Sequence, residues 1–172
     1  MGLLPSIGRW IGTETTPMCR LIACRALVDV GLLEEPLGSN RSPAIDGYLT
    51  DAGSPLGSSW CAAAVREWFQ FANARVPWSG AGACETWHQM GKARGTLTDE
   101  PSVGFAVLYD FAGTGQADHM GVVVRVAPLI LTVEGNTTLK RQTGSDREGV
   151  GATLAAIDHA HVLAYLIPEE VS

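Results

Sequence analysis

The chain has 172 residues, with 18 acidic and 12 basic side chains and a formal net charge of −6. That length buries a sizeable core without disulfide staples and fits one domain. The acidic balance argues against a nucleic-acid partner or adsorption to an anionic membrane, both of which need a basic face, and no apolar run is long enough for stable membrane insertion.

Residues 1–14 read as a flexible N-terminal arm and residues 15–172 as a single domain. The opening MGLLPSIGRWIGTETTPMCR lacks the basic n-region, apolar h-region and cleavage site of a secretory signal, so synthesis in the cytoplasm is expected. Cys19, Cys24, Cys61 and Cys84 are then expected as free thiols. Cys19 and Cys24 point to different faces of one helix and should not pair.

The stretch TTPMCRLIACRALVDVGLL starts a helix, with Thr15 or Thr16 as its cap and Pro17 in its first turn. Leu21, Ala23, Leu27, Val28 and Leu32 give it a broad apolar side. EEPLGSNRSP is a break, AIDGYLTDAG a short helix closed by Gly53, and SPLGSS a loop. Residues 60–73 form the central helix. Ala62, Ala63, Ala64, Val65, Trp68, Phe69 and Ala72 make it apolar nearly all round, so it should be deeply packed. Pro77, Gly80 and Gly82 end that unit, and ACETWHQMGKA is a further short helix. After Pro101 come the β-rich runs VGFAVLYDF, HMGVVVRV, LILTVEGN and HVLAYLIP, with TTLKRQTGS as an added candidate. Helices first and strands later predict an α+β fold with a mostly antiparallel sheet.

Cys61 follows GSSW at the start of the central helix. A cap from Ser58 or Ser59 would place it in the first turn, where unpaired N–H groups and the helix dipole favour the thiolate. The rival reading is a buried, inert cysteine. His119 opens a strand on which His119, Gly121, Val123 and Arg125 share one face. Met120, Val122, Val124 and Val126 share the other and read as core. Gly121 leaves open space beside His119 for a substrate or for the helix end. An imidazole mounted at a strand end suits a general base. Glu134 comes 15 residues later, on a strand hairpinned to the first through APL. Ile130, Thr132, Glu134 and Asn136 share one face of it. Glu134 can fix the imidazole tautomer, and Asn136 can share that role or donate to an oxyanion. Read otherwise, EGN is a plain turn.

Other features have plainer readings. Trp60 and Trp87, with Trp78, line a substrate groove or sit in the core. Cys84 and His88, four apart on a helix, can face one ligand, but packing and exposure is the simpler account. His159 and His161 have zinc-like spacing on a strand but lack further ligands, and Asp158 favours a solvated turn. No metal and no cofactor is expected.

WCAAAVREWF, DHMGVVV and TVEGNT resemble the nucleophile, base and orienting segments of CHAP-domain cysteine amidohydrolases and peptidases. These are papain-like enzymes, many of which cut bacterial peptidoglycan. GSNRSPAIDGYLTDAG resembles the lead-in to the cysteine helix in a phage and bacterial branch of the family. The likeness covers roughly residues 35 to 167. It implies a papain-like fold, with N-terminal helices packed on the sheet and the catalytic cysteine at the start of the central helix. It implies Cys61 as nucleophile, His119 as base, Glu134 as orienting acid and Asn136 as supporting amide, with backbone N–H groups at the helix start holding the oxyanion. The chain departs from relatives that carry Gly-Asp before the histidine strand, having Phe105 in GFAVLYD where the acid would be. Some relatives bind calcium near the cysteine; here Asp46 and Asp51 lie upstream but match no calcium loop.

The activity so implied is cleavage of a peptidoglycan amide by a phage lysin or a virion-associated tail lysin. It would act at the cell wall or periplasm, reached through a holin, within the virion or by a secretion apparatus, with phage tail proteins as further partners. The alternatives are a non-enzymatic tail subunit that keeps the fold, a secreted amidase effector, and an amidase acting on another peptide or isopeptide.

Overall fold

Thr16 starts the first helix. Its hydroxyl accepts from the Cys19 N–H, and Pro17 takes the first helical position, where an N–H would have no partner. The computed structural model describes residues 15–138 and 150–171; the arm expected over residues 1–14 lies outside them. Four helices come first: α1 (Pro17–Val28), α2 (Pro43–Asp51), α3 (Cys61–Phe71) and α4 (Cys84–Arg94). Six strands follow: β1 (Leu97–Thr98), β2 (Ala106–Tyr109), β3 (His119–Arg125), β4 (Leu131–Thr138), β5 (Val150–Ala156) and β6 (Val162–Leu166). They form one sheet in the order β1-β6-β2-β3-β4-β5, every neighbouring pair antiparallel. The fold is α+β.

The buried side of α1 is not the one expected from its large residues. Cys19, Ile22, Ala23 and Ala26 face inward, while Leu21 and Val28 are 47 % and 70 % exposed. The cause is close approach. α1 packs on α3 and β3, and a Cβ on Gly104 would stand 2.5 Å from the Cys19 Cα. Only small side chains fit a helix held so near its neighbours.

Ser42 caps α2 by accepting from the Ile45 N–H, with Pro43 at the first position, and Gly53 in the left-handed region follows its end. α3 is the centre of the molecule. Cys61 to Val65, Trp68 and Phe69 are all buried, and the helix packs on α1, α2, β3 and β4. Gly95, with φ 66, closes α4.

Met120, Val122, Val124 and Val133 face the helices. On the other side of the sheet Val107, Tyr109, Val123, Ile157 and Tyr165 form a second cluster. Val126, expected in the core, lies beyond the end of β3 and is exposed, because the chain there turns toward β4. EGN is not a turn. Glu134 to Asn136 continue β4, with a bulge against β5 between Glu134 and Thr137 and Asn136 in the left-handed region at φ 55. β5 carries no signal that marked it as a strand from sequence. Of TTLKRQTGS, Thr137 and Thr138 end β4 and the rest lies outside the described residues.

Candidate active site

Cys61 is the first residue of α3. Neither Ser58 nor Ser59 caps that helix: Trp60 holds the cap position and makes no side-chain cap bond. The indole explains the difference. Trp60 is fully buried and donates from Nε1 to Glu34 Oε1 at 3.0 Å, which fixes the chain entering the helix without a serine. The thiol itself is only 4 % exposed.

His119 is the first residue of β3, where the strand ends toward α3. Its Nε2 lies 3.1 Å from Glu134 Oε2 on one side, and on the other the ring interacts electrostatically with Cys61. Pairing of β3 with β4 sets Glu134 opposite Gly121, two residues along from His119. Gly121 does not leave open space there. The Glu134 side chain and the Val133 carbonyl fill it.

The far oxygen of Glu134 is also held. Tyr109 Oη donates to Oε1 at 2.9 Å and Thr132 Oγ1 donates to it at 2.7 Å. The Tyr109 ring stacks against His119, with centroids 5.8 Å apart, and against Phe111 at 5.3 Å. Phe111, half exposed, touches His119 and His161 as well. Beside it a cavity of about 350 Å³ is lined by residues 110–113 and 160–163.

These contacts set the charges. The Cys61 thiol is held well below its ordinary pKa. The Cys84 hydrogen bond is the largest cause; burial opposes it, and the His119 hydrogen bond and charge and the Ala62 N–H add to it. For His119, burial works against the charged ring, but Cys61 and Glu134 outweigh it and raise the group to about 10. Burial likewise pushes Glu134 upward, and the bonds from His119, Thr132 and Tyr109 more than reverse it. All three shifts favour the charged forms, a thiolate beside an imidazolium beside a carboxylate.

Cys84 was not singled out from sequence as part of this group. Its Sγ lies 3.5 Å from that of Cys61. It opens α4 as Cys61 opens α3, a repetition that is visible in the sequence only once both helix starts are fixed. Tyr109 and Thr132 also went unnoticed as supports for the carboxylate. Their signal was parity, since Thr132 shares a face of β4 with Glu134.

Other expectations are corrected. Trp60 and Trp87 line no groove: both are fully buried, and Trp87 Nε1 donates to the Ala81 carbonyl at 2.8 Å. Trp78, by contrast, is fully exposed. Asn136 takes no part in the hydrogen bonds that orient His119 and Glu134 among the described residues, because the bulge turns it out of strand alternation. His159 and His161 precede β6 in a turn, where His161 Nδ1 is 3.0 Å from Asp158 Oδ2. Cys84 and His88 do not converge on one ligand, since His88 Nδ1 is 3.0 Å from Glu85 Oε2. Asp46 is paired with Arg41 at 2.5 and 2.9 Å. Among the described residues no group of three or more His, Cys, Asp or Glu is placed to hold a metal, and no helix is long and apolar enough to cross a membrane. Compared with protein-family models, with curated proteins and with solved structures, the chain matches none.

Proposed function

We propose that the protein is a cysteine amidohydrolase or endopeptidase of papain-like type that cleaves an amide bond in bacterial peptidoglycan. The observation that carries the reaction type is the line Cys61–His119–Glu134, in which one imidazole interacts with a helix-start thiol and lies 3.1 Å from a buried carboxylate. The substrate class comes from the resemblance of WCAAAVREWF, DHMGVVV and TVEGNT to CHAP-domain enzymes.

The Cys61 thiolate attacks the amide carbonyl carbon, and the carbonyl oxygen takes the negative charge. The start of α3 suits that oxygen, because its cap residue Trp60 makes no side-chain bond to the first-turn N–H groups. His119, charged in the resting site, gives its proton to the leaving amine as the C–N bond breaks. Water then attacks the thioester, His119 takes a proton from it, and the acid leaves with Cys61 restored as thiolate. Glu134 keeps the ring in place and stabilises the imidazolium. Substrate enters from the side of Phe111, which is half exposed and in ring contact with His119.

Clearing of purified cell walls in a gel tests the reading. Wild type is expected to clear the wall and Cys61→Ala to leave it intact. Equal clearing by both would remove Cys61 as the nucleophile, and clearing by neither while Cys61 proves reactive would remove peptidoglycan as the substrate. Mass spectrometry of the released muropeptides identifies the bond. A tail subunit that keeps only the fold would show no clearing and no dependence on Cys61.

A further inference from the structure

We propose that Cys84 is a catalytic residue of this site: its S–H donates to the Cys61 sulfur and holds it as the attacking thiolate. The inference rests on the reading of Cys61 as nucleophile. It adds a fourth side chain that touches the reacting atom.

The two sulfurs are 3.5 Å apart, both thiols are free, and both are buried. Either atom is able to donate, so the neighbours decide which one keeps the proton. Cys61 is bonded by the His119 ring and by the Ala62 N–H, a cation and a donor. Cys84 has only its own backbone N–H as a comparable donor, and it feels the carboxylate of Asp118, just ahead of β3. Negative charge is favoured on Cys61 and disfavoured on Cys84. The proton therefore stays on Cys84, and the contact is S–H···S⁻ directed at Cys61. A thiolate cut off from water needs donors to replace its hydration. With Cys84, His119 and the Ala62 N–H it has three.

The position of Cys84 is built. Glu85, the next residue, accepts the Ala117 N–H at 2.7 Å and faces His88 Nδ1 at 3.0 Å; Gln89 also donates to it. That carboxylate ties the start of α4 to the segment that leads into His119. Asp118 is fixed in turn by the Phe111 and Ala112 N–H groups at 3.1 and 2.8 Å. Among the described residues the titratable groups facing the two sulfurs are thus His119 and Asp118, with Glu134 behind the histidine. Cys84 keeps its proton throughout the reaction. When the Cys61 sulfur forms its bond to the carbonyl carbon its charge is lost and the S–H contact weakens. When the acyl group leaves, the contact is restored.

The test reads alkylation of Cys61 by iodoacetamide against pH in the full chain. Peptide mass spectrometry separates Cys61 from Cys19, Cys24 and Cys84. Cys84→Ala removes the donor, and Cys84→Val removes it while filling the space. Both are expected to raise the Cys61 midpoint by about one pH unit, a tenfold loss of thiolate below it. Cys84→Ser, which keeps a donor, is expected to stay near wild type. Circular dichroism verifies the fold of each variant. A wild-type midpoint in folded Cys84→Ala and Cys84→Val overturns the proposal, as does a serine variant shifted as far as the valine one. Wild type alone gives a further reading that needs no variant to fold: Cys61 must be modified at lower pH than Cys84, and the reverse order rejects the assignment. No cell wall is involved, so a protein that shows the expected alkylation but clears no wall loses its substrate class and keeps the role of Cys84.

Discussion

Gly121 lies beneath Glu134: a Cβ at Gly121 would stand 2.6 Å from the Glu134 Cγ and 2.7 Å from the Val133 carbonyl oxygen. The missing side chain lets the carboxylate fold back over β3 toward His119. A glycine in a strand weakens the strand, so its presence here marks a close approach rather than a neutral choice.

Gly121→Ala is expected to destabilise the protein by about 1–3 kcal/mol, because one of the two clashing atoms is backbone and cannot rotate away. It should also displace Glu134 and reduce Cys61 reactivity. Gly47→Ala is the matched control. Gly47 lies in α2 with nothing within 4 Å of a built Cβ. There the change is expected to stabilise by about 0.5–1 kcal/mol. Urea denaturation of the two variants reads both signs. A neutral Gly121→Ala would mean that Glu134 is not held against β3.

The pattern of elements could be read from residues whose effect is local. Thr16 with Pro17 and Ser42 with Pro43 start helices by rules that need no knowledge of the rest of the chain. His119 and Glu134 could be placed side by side because a short hairpin and strand parity fix their register. What escaped depends on distance across the fold. The Leu21 and Val28 face of α1 is turned outward by the approach of Gly104 to Cys19, more than eighty positions away. Trp60 and Trp87 are aromatic whether they line a groove or fill a core, and only the partners of their N–H groups, Glu34 and the Ala81 carbonyl, distinguish the two. Cys84 meets Cys61 because α3 and α4 begin at the same place, which no periodicity within either helix reports.

Glu134→Gln tests the electrostatics. Its folded pKa is lowered from 4.5, so the carboxylate contributes stability that is present above pH 4.5 and lost as pH falls through the lower value. His119 behaves oppositely. Its pKa rises from 6.5 to about 10, so its contribution is complete below pH 6.5 and disappears as pH rises through about 10. In Glu134→Gln the acid limb of a Tm–pH profile should flatten. The His119 midpoint, followed by NMR of its ring protons, should fall from about 10. Turnover should drop about a hundredfold or more, the scale of a misoriented general base. An unchanged His119 midpoint would separate the two residues electrostatically.

Tyr109→Phe removes one of two donors to Glu134 Oε1 and keeps the ring that stacks on His119. Thr132 still serves that oxygen, so the single change is expected to cost only about 1 kcal/mol, as does Thr132→Val. The double variant leaves a buried carboxylate oxygen without a donor. It should lose more than the sum of the singles, with a coupling of about 1 kcal/mol or more. Strict additivity in denaturant unfolding would show that the two hydroxyls do not share the oxygen.

Trp60 and Glu34 give the opposite coupling. The indole Nε1 donates to Glu34 Oε1 at 3.0 Å, while Glu34 Oε2 is buried without a hydrogen-bond partner among the described residues. Trp60→Phe strips the carboxylate of that bond and is expected to cost about 1–3 kcal/mol, plus the volume lost where the indole lies against Gly135. Glu34→Leu strands the indole N–H at a similar cost. Changing both removes donor and acceptor together, so the double variant should be less destabilised than the two singles combined by about 1 kcal/mol or more. Trp60 precedes Cys61 directly, so the alkylation rate of Cys61 in each variant shows whether the buried pair sets the start of α3. A rate that falls in Trp60→Phe and recovers in the double variant assigns the fall to the stranded carboxylate. A rate that stays low in both assigns it to the lost indole volume.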